Sequence, residues 1–212
     1  MMQCWNIYMK TKIIFATGNA NKMREIREIL GEDKYDIKSM KEAGIDCDIV
    51  EDGSSFEENS LIKARAIAAL AKDAIVLADD SGLEIDALNK EPGIYSARYM
   101  GEDTSYDIKN ANLIERLEGV AKEDRSARFV CAVSAVFPNG SEAVKRGTIE
   151  GYIGYEPMGT NGFGYDPIFY LWDKDVSTAS LSPEDKNAIS HRGKALRMIK
   201  EDILLYEDIS SK

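Results

Sequence analysis

The 212-residue chain predicts an α/β fold with a mixed sheet. Three features point to it. Short apolar runs alternate with helix-period segments early in the chain, as in strand–helix–strand units. The run from Arg128 to Phe137 is almost continuously apolar, which suits a strand buried on both faces. Pro138-Asn139-Gly140-Ser141 then supplies a turn, so a strand from Glu142 to Ile149 should return as a hairpin partner.

In order along the chain, the first strand is Lys12-Ile13-Ile14-Phe15-Ala16. Thr17-Gly18-Asn19 turns it into a helix capped by Asn19. That helix places Met23, Ile26, Ile29 and Leu30 on one face, and Gly31 closes it. Tyr35 to Ser39 is a candidate strand. Ser55-Phe56-Glu57-Glu58 is a capping box opening a helix to about Ala71. Ile75-Val76-Leu77-Ala78 reads as a buried strand that ends where Asp79 and Asp80 arrive, with Ser81-Gly82 as a turn. Ser105 to Leu117 is a helix with Ile108, Leu113, Ile114 and Leu117 as its apolar positions. Gly147 to Gly164 is glycine-rich and is expected to be irregular and functional. Ser182-Pro183 opens a further helix, because Ser caps and Pro fits the first turn. The last helix carries Leu196, Ile199, Ile203 and Leu204 on one face.

The composition is 44% hydrophobic and 30% charged, which suits one large domain or one domain with two lobes. Residues 1–11 read as an N-terminal extension and residues 12–212 as the domain. The net charge of −10 disfavours a protein that holds nucleic acid through a broad basic face. A small anion needs only a local cationic cluster. Cys4, Cys47 and Cys131 are far apart and odd in number, so they form neither a zinc spacing nor a disulfide framework. The expectation is a reduced, cytoplasmic protein with no membrane span and no signal peptide.

The acids at Asp79 and Asp80 carry the first chemical signal. Ionised carboxylates beside a core strand need a neutraliser, and a divalent cation such as Mg²⁺ suits hard oxygen ligands. An Asx-type capped turn would use the same residues. Thr17-Gly18-Asn19-Ala20-Asn21-Lys22 joins a strand to a helix, where free N–H groups and the positive helix end favour an anion. It lacks the Walker A pattern. Asn59 and Lys63 stand at i, i+4 and share a helix face. Gly159 to Pro167 interleaves three glycines with Phe163, Tyr165 and Asp166, which brings backbone and aromatic rings to a planar ligand. Ser190-His191-Arg192 holds the single histidine at a helix start, a poor place for a general base and a better one for reading a heterocycle.

Taken in order, TGNANK, an acidic loop with FEENSLIKARA, ADDSGLEID with PGIYSARYMG, GTNGFGYDPIF and SPEDKNAISHRGKAL resemble the inosine/xanthosine triphosphate pyrophosphatase family. The resemblance runs from about Lys12 to the last helix. It implies an elongated mixed central sheet flanked by helices, two lobes with a substrate cleft between them, and a homodimer. It also implies Mg²⁺-dependent hydrolysis of ITP, dITP and XTP to the monophosphate and pyrophosphate, which cleanses the nucleotide pool.

By the same resemblance, Thr17, Gly18, Asn19, Ala20, Asn21 and Lys22 would line the triphosphate and Lys63 would add a phosphate contact. Glu51 and Asp80 would hold the metal, with Asp80 also accepting the proton of the attacking water. Ser81 would touch substrate. Phe163, Gly164, Tyr165, Asp166, Lys186, His191 and Arg192 would surround the purine. Spacing does not choose among Asp46, Asp48, Glu51 and Asp52 for the second metal acid, and Glu57 and Glu58 are further candidates. A pyrophosphatase for other modified triphosphates and a non-cleaving nucleotide-binding protein are the alternatives.

Overall fold

A computed structural model describes residues 10–210. Most of the expected N-terminal extension, including Cys4, lies outside the described residues. Six strands form one sheet: β1 (Thr11–Phe15), β2 (Tyr35–Ser39), β3 (Ile75–Ile85), β4 (Ser126–Val136), β5 (Glu142–Ile153) and β6 (Phe169–Tyr170). Their spatial order is β2-β1-β3-β4-β5-β6. β2, β1 and β3 are parallel, and β3, β4, β5 and β6 are antiparallel. The sheet is therefore mixed, as the sequence predicts.

Among the described residues five α-helices cover it: α1 (Ala20–Leu30), α2 (Phe56–Ala68), α3 (Tyr106–Arg116), α4 (Pro183–Ile189) and α5 (His191–Ser210). Their starts follow the capping signals. Asn19 accepts from the N–H groups of Asn21 and Lys22, Ser55 from Glu58, and Ser182 from Asp185. Gly31 closes α1 at φ 86°, a conformation that favours glycine. α1 and α5 bury Met23, Ile26, Leu196 and Ile199 against one face of the parallel end, together with Ile75 and Leu77. α2 buries Ala64 and Ile67 against the other face, with Val76 and Ala78. A separate core gathers at the antiparallel end around Leu83, Phe129, Tyr165 and Phe169, joined by Leu113 and Leu117.

Several boundaries differ from the sequence reading, each for a physical reason. β3 does not stop at Ala78; it runs through Asp79, Asp80, Ser81 and Gly82 to Ile85. β4 pairs with it over that whole length, and charge partners described below neutralise Asp79. β5 includes Gly147, as the expected strand did, and continues past Ile149 to Ile153 to take in Gly151, so the glycine-rich stretch is irregular only after Ile153. Both are places of close approach. A Cβ at Gly147 would lie 2.2 Å from the His191 carbonyl oxygen, and one at Gly151 would lie 2.3 Å from that of Tyr170. α2 ends at Ala68. Leu204 and Ile108, assigned to apolar faces from sequence, are 40% and 55% exposed.

Candidate active site

The pairing of β3 explains where its acids stand. β1 accompanies it only from Ile75 to Leu77. Asp79 and Asp80 follow directly, just past the carboxyl end of β1, where the chain leaves the sheet through Thr17, Gly18 and Asn19. That crevice is the expected ligand position in a sheet of parallel strands. Neighbouring strand residues point to opposite faces. Asp79 has the parity of Ile75 and Leu77 and faces α1 and α5. Asp80 has the parity of Val76 and Ala78 and faces α2.

Asp79 is buried in an ion network. Lys22 Nζ lies 3.0 Å from its Oδ2, and Arg192 Nη2 lies 3.2 Å from the same oxygen. Burial pushes its pKa up, but Lys22 and Arg192 overcome this and hold the carboxyl well below the usual range. Asp80 is different. Burial outweighs the help of Lys63 and the hydrogen bond from Asn59, and its pKa is raised. Lys63 Nζ bridges this acid to Glu51, at 3.9 Å from Asp80 Oδ1 and 2.8 Å from Glu51 Oε2. The remaining acidic candidates divide by position. Asp48 also lines the cleft, whereas Glu57 pairs with Arg146 and Glu58 accepts from Ser54.

These groups open into a cleft of about 560 Å³. Of the residues expected at the site, Thr17, Gly18, Asn19, Lys22, Glu51, Lys63, Asp80, Ser81, Phe163, Gly164, Tyr165, Asp166, Lys186, His191 and Arg192 all line it. Ala20 and Asn21 do not; they form the first turn of α1, and Asn21 N donates to Asn19 Oδ1 at 2.9 Å.

At the far end of the cleft, Lys186 Nζ lies 3.0 Å from Glu25 Oε1 and 2.6 Å from Asp166 Oδ2. Arg192 Nη1 donates to Glu25 Oε2 at 2.5 Å, and its Nη2 donates to Ser81 Oγ at 3.0 Å. Asp166 Oδ2 also accepts from Phe163 N at 2.8 Å, which fixes the glycine-rich loop. His191 stacks on Phe129 with ring centroids 4.9 Å apart. Its pKa is held well below the ordinary value by burial and by the nearby charges of Arg192 and Lys186. Among the described residues its Nδ1 has no hydrogen-bond partner. Phe163 is partly exposed beneath Lys186, whose Nζ is 5.0 Å from the ring centre. Tyr165 is buried instead, with its hydroxyl donating to the Ser96 carbonyl at 2.7 Å and its ring edge-on to Tyr106. Of the two aromatics, Phe163 is the one placed to offer a face.

Two groups escape the sequence reading. Glu25 is the carboxylate shared by Lys186 and Arg192. Its signal was its place three residues after Lys22, on the same helix face. The second cleft wall includes Ile94, Ser96 and Arg98 of the PGIYSARYMG motif, to which the sequence reading assigns no site role, and Tyr106 at the start of α3.

The comparisons with known proteins agree with this geometry. The model of the Ham1 family matches residues 13–202. The chain belongs to the Ham1 family. A dITP/XTP pyrophosphatase of Bacillus licheniformis is 49% identical over 189 residues, covering 89% of this chain and 95% of that protein. The dITP/XTP pyrophosphatase of Bacillus subtilis is 46% identical over 195 residues, covering 92% and 98%. The Staphylococcus aureus Ham1 protein superposes with a TM-score of 0.81 at 41% identity, covering 91% of this chain and 98% of that one. The mixed α/β architecture is thus a Ham1 architecture. Among the described residues no helix is long and apolar enough to cross a membrane.

Proposed function

We propose that this chain hydrolyses deaminated purine nucleoside triphosphates, ITP, dITP and XTP, to the monophosphate and pyrophosphate. The observation that carries the reading is a single cleft with two chemistries. One end offers a helix N-terminus, two lysines and two acids. The other offers a buried polar pocket beside a partly exposed aromatic ring. Relatives named dITP/XTP pyrophosphatase, at high coverage, support the same reading.

In this reading Thr17, Gly18, Asn19 and Lys22 receive phosphate oxygens at the start of α1. Lys63, which spans Glu51 and Asp80 in this structure, is the second cation that a phosphate oxygen would claim. The acid pair fits a hard divalent cation. Among the described residues no cluster of three or more His, Cys, Asp or Glu could hold a metal, so the remaining ligands must come from elsewhere. Two carboxylates completed by substrate phosphates and water is the Mg²⁺ pattern. Bound there, Mg²⁺ would polarise a phosphoryl oxygen and acidify a water. Asp80, its pKa raised by burial, is the proton acceptor for that water as the bond between the α and β phosphates breaks. Phe163 stacks on the purine, and His191 lines the pocket at its edge. Lys186 and Arg192, fixed by Glu25, set the field around the 6-oxo group. We place the activity with the nucleotide pool in the cytoplasm, in a single two-lobed domain that acts as a homodimer.

The test is pyrophosphate release across ITP, dITP, XTP, ATP, GTP, dUTP and methylated pyrimidine triphosphates, with and without Mg²⁺. Preference for the deaminated purines, dependent on Mg²⁺, is expected. Preference for a pyrimidine, or nucleotide bound but uncleaved, overturns the assignment.

A further inference from the structure

Asn59 does not line the cleft, yet its side chain joins the two acid-bearing segments. It lies on α2 one turn before Lys63 and is 1% exposed. Its Nδ2 donates to Asp80 Oδ2 at 3.1 Å, and its Oδ1 accepts from Gly53 N at 2.9 Å. A carboxylate and an N–H on opposite sides fix which way the amide points. The first bond takes one oxygen of Asp80. The other oxygen accepts from Ser81 N at 3.0 Å and faces Lys63. The second bond holds the chain just after Glu51. Gly53 leaves room for it, since a Cβ there would lie 2.7 Å from Asn59 Oδ1 and 2.8 Å from Glu58 Cβ. A buried amide satisfied at both ends resists reorientation, because either lost partner leaves a desolvated polar group.

We propose that Asn59 is a positioning residue that orients the carboxylate of Asp80 and ties it to the segment carrying Glu51. The two acids then keep a fixed relation as substrate enters, with Asn59 outside the cleft and acting through the carboxylate of Asp80. This rests on the pyrophosphatase reading above.

The experiment compares wild type, Asn59→Ala, Gly53→Ala and the double variant by ITP turnover and by hydrogen exchange of the Gly53 amide in metal-free, nucleotide-free protein. Because small misplacements of reacting groups are costly, kcat of Asn59→Ala should fall about 50-fold while KM stays within about 3-fold. Gly53→Ala should lose about 10-fold, and the double variant should lose no more than Asn59→Ala, since both cut one link. Gly53 amide exchange should quicken about tenfold in Asn59→Ala, with the amides of Val76 and Leu77 unchanged. Gly53→Ala leaves the helix interior intact, so it carries the test if Asn59→Ala does not fold. Unchanged kcat in either variant, fully multiplicative losses, or an unaltered Gly53 exchange rate overturns the proposal. Wild type that fails to cleave ITP refutes the activity reading instead, and amide exchange alone then decides the tether.

Discussion

At the end of the cleft proposed to hold the base, Glu25, Asp166, Lys186, Arg192 and His191 are between 2% and 7% exposed, and the charged groups satisfy one another. At the end proposed to take the phosphates, the side chains of Lys22, Lys63 and Glu51 are 17%, 12% and 30% exposed; Lys22 pairs with the buried Asp79, and Lys63 stands between Glu51 and Asp80. The base end is assembled before any ligand arrives. The phosphate end keeps groups that can exchange a protein partner for a ligand. Under the proposed function, rigid recognition beside exchangeable charge would let one cleft discriminate bases without binding triphosphate immovably.

The adjacent acids give the sharpest way to break this comparison. Asp80→Asn should lower ITP turnover about 10³-fold, measured by pyrophosphate release. It should cost less stability than Asp79→Asn, because it strands no buried cation, although the new amide must turn its NH2 towards either Asn59 Nδ2 or Ser81 N. Asp79→Asn should instead lose about 3 kcal/mol in denaturant unfolding, because it leaves Lys22 and Arg192 short of a buried partner. Equal stability in the two variants would erase the distinction between the faces of β3.

The same contrast holds between ends. Glu25→Gln should cost about 3 kcal/mol of stability by urea unfolding, since Lys186 and Arg192 both lose their shared carboxylate. Lys63→Met should cost about 1 kcal/mol yet reduce kcat/KM for ITP about 10²-fold.

The smallest effect is a pH slope. His191 is the single histidine, and the fold keeps it neutral. Its folded pKa lies below the unfolded value of about 6.5, so below that pH the unfolded chain binds a proton that the native state refuses. Stability should fall by about 1.4 kcal/mol per pH unit from about pH 6.5 down to the folded pKa. Urea melts at pH 7.5 and 5.5 should show this loss in wild type but not in His191→Gln.

Much of this molecule is legible in the chain. Asn19, Gly31, Ser55 and Ser182-Pro183 mark helix ends through local hydrogen bonds and backbone preferences, which need no tertiary context. Pro138 to Ser141 marks the hairpin for the same reason. The failures are tertiary. Asp79-Asp80-Ser81-Gly82 has every local feature of a strand end, and only Lys22, Arg192 and the pairing with β4 make it strand. Gly151 looks like a loop residue because glycine is also what a close crossing requires. In the site, charged and aromatic residues set in motifs were readable. Glu25 was not, since a buried acid looks like any helix glutamate, and PGIYSARYMG was visible as a motif without showing which of its residues face the cleft.

Gly147 has one more consequence. It belongs to β5 and lines no part of the cleft, yet the first turn of α5 rests on it, with the His191 carbonyl where a methyl group would go. The platform that presents His191 and Arg192 therefore has its height gauged from behind the sheet. If these residues read the base as proposed, selectivity depends on the spacing between β5 and α5 as well as on the residues that face the ligand. A redesign that preserved every side chain of the cleft but thickened this crossing by one carbon would still alter which bases fit.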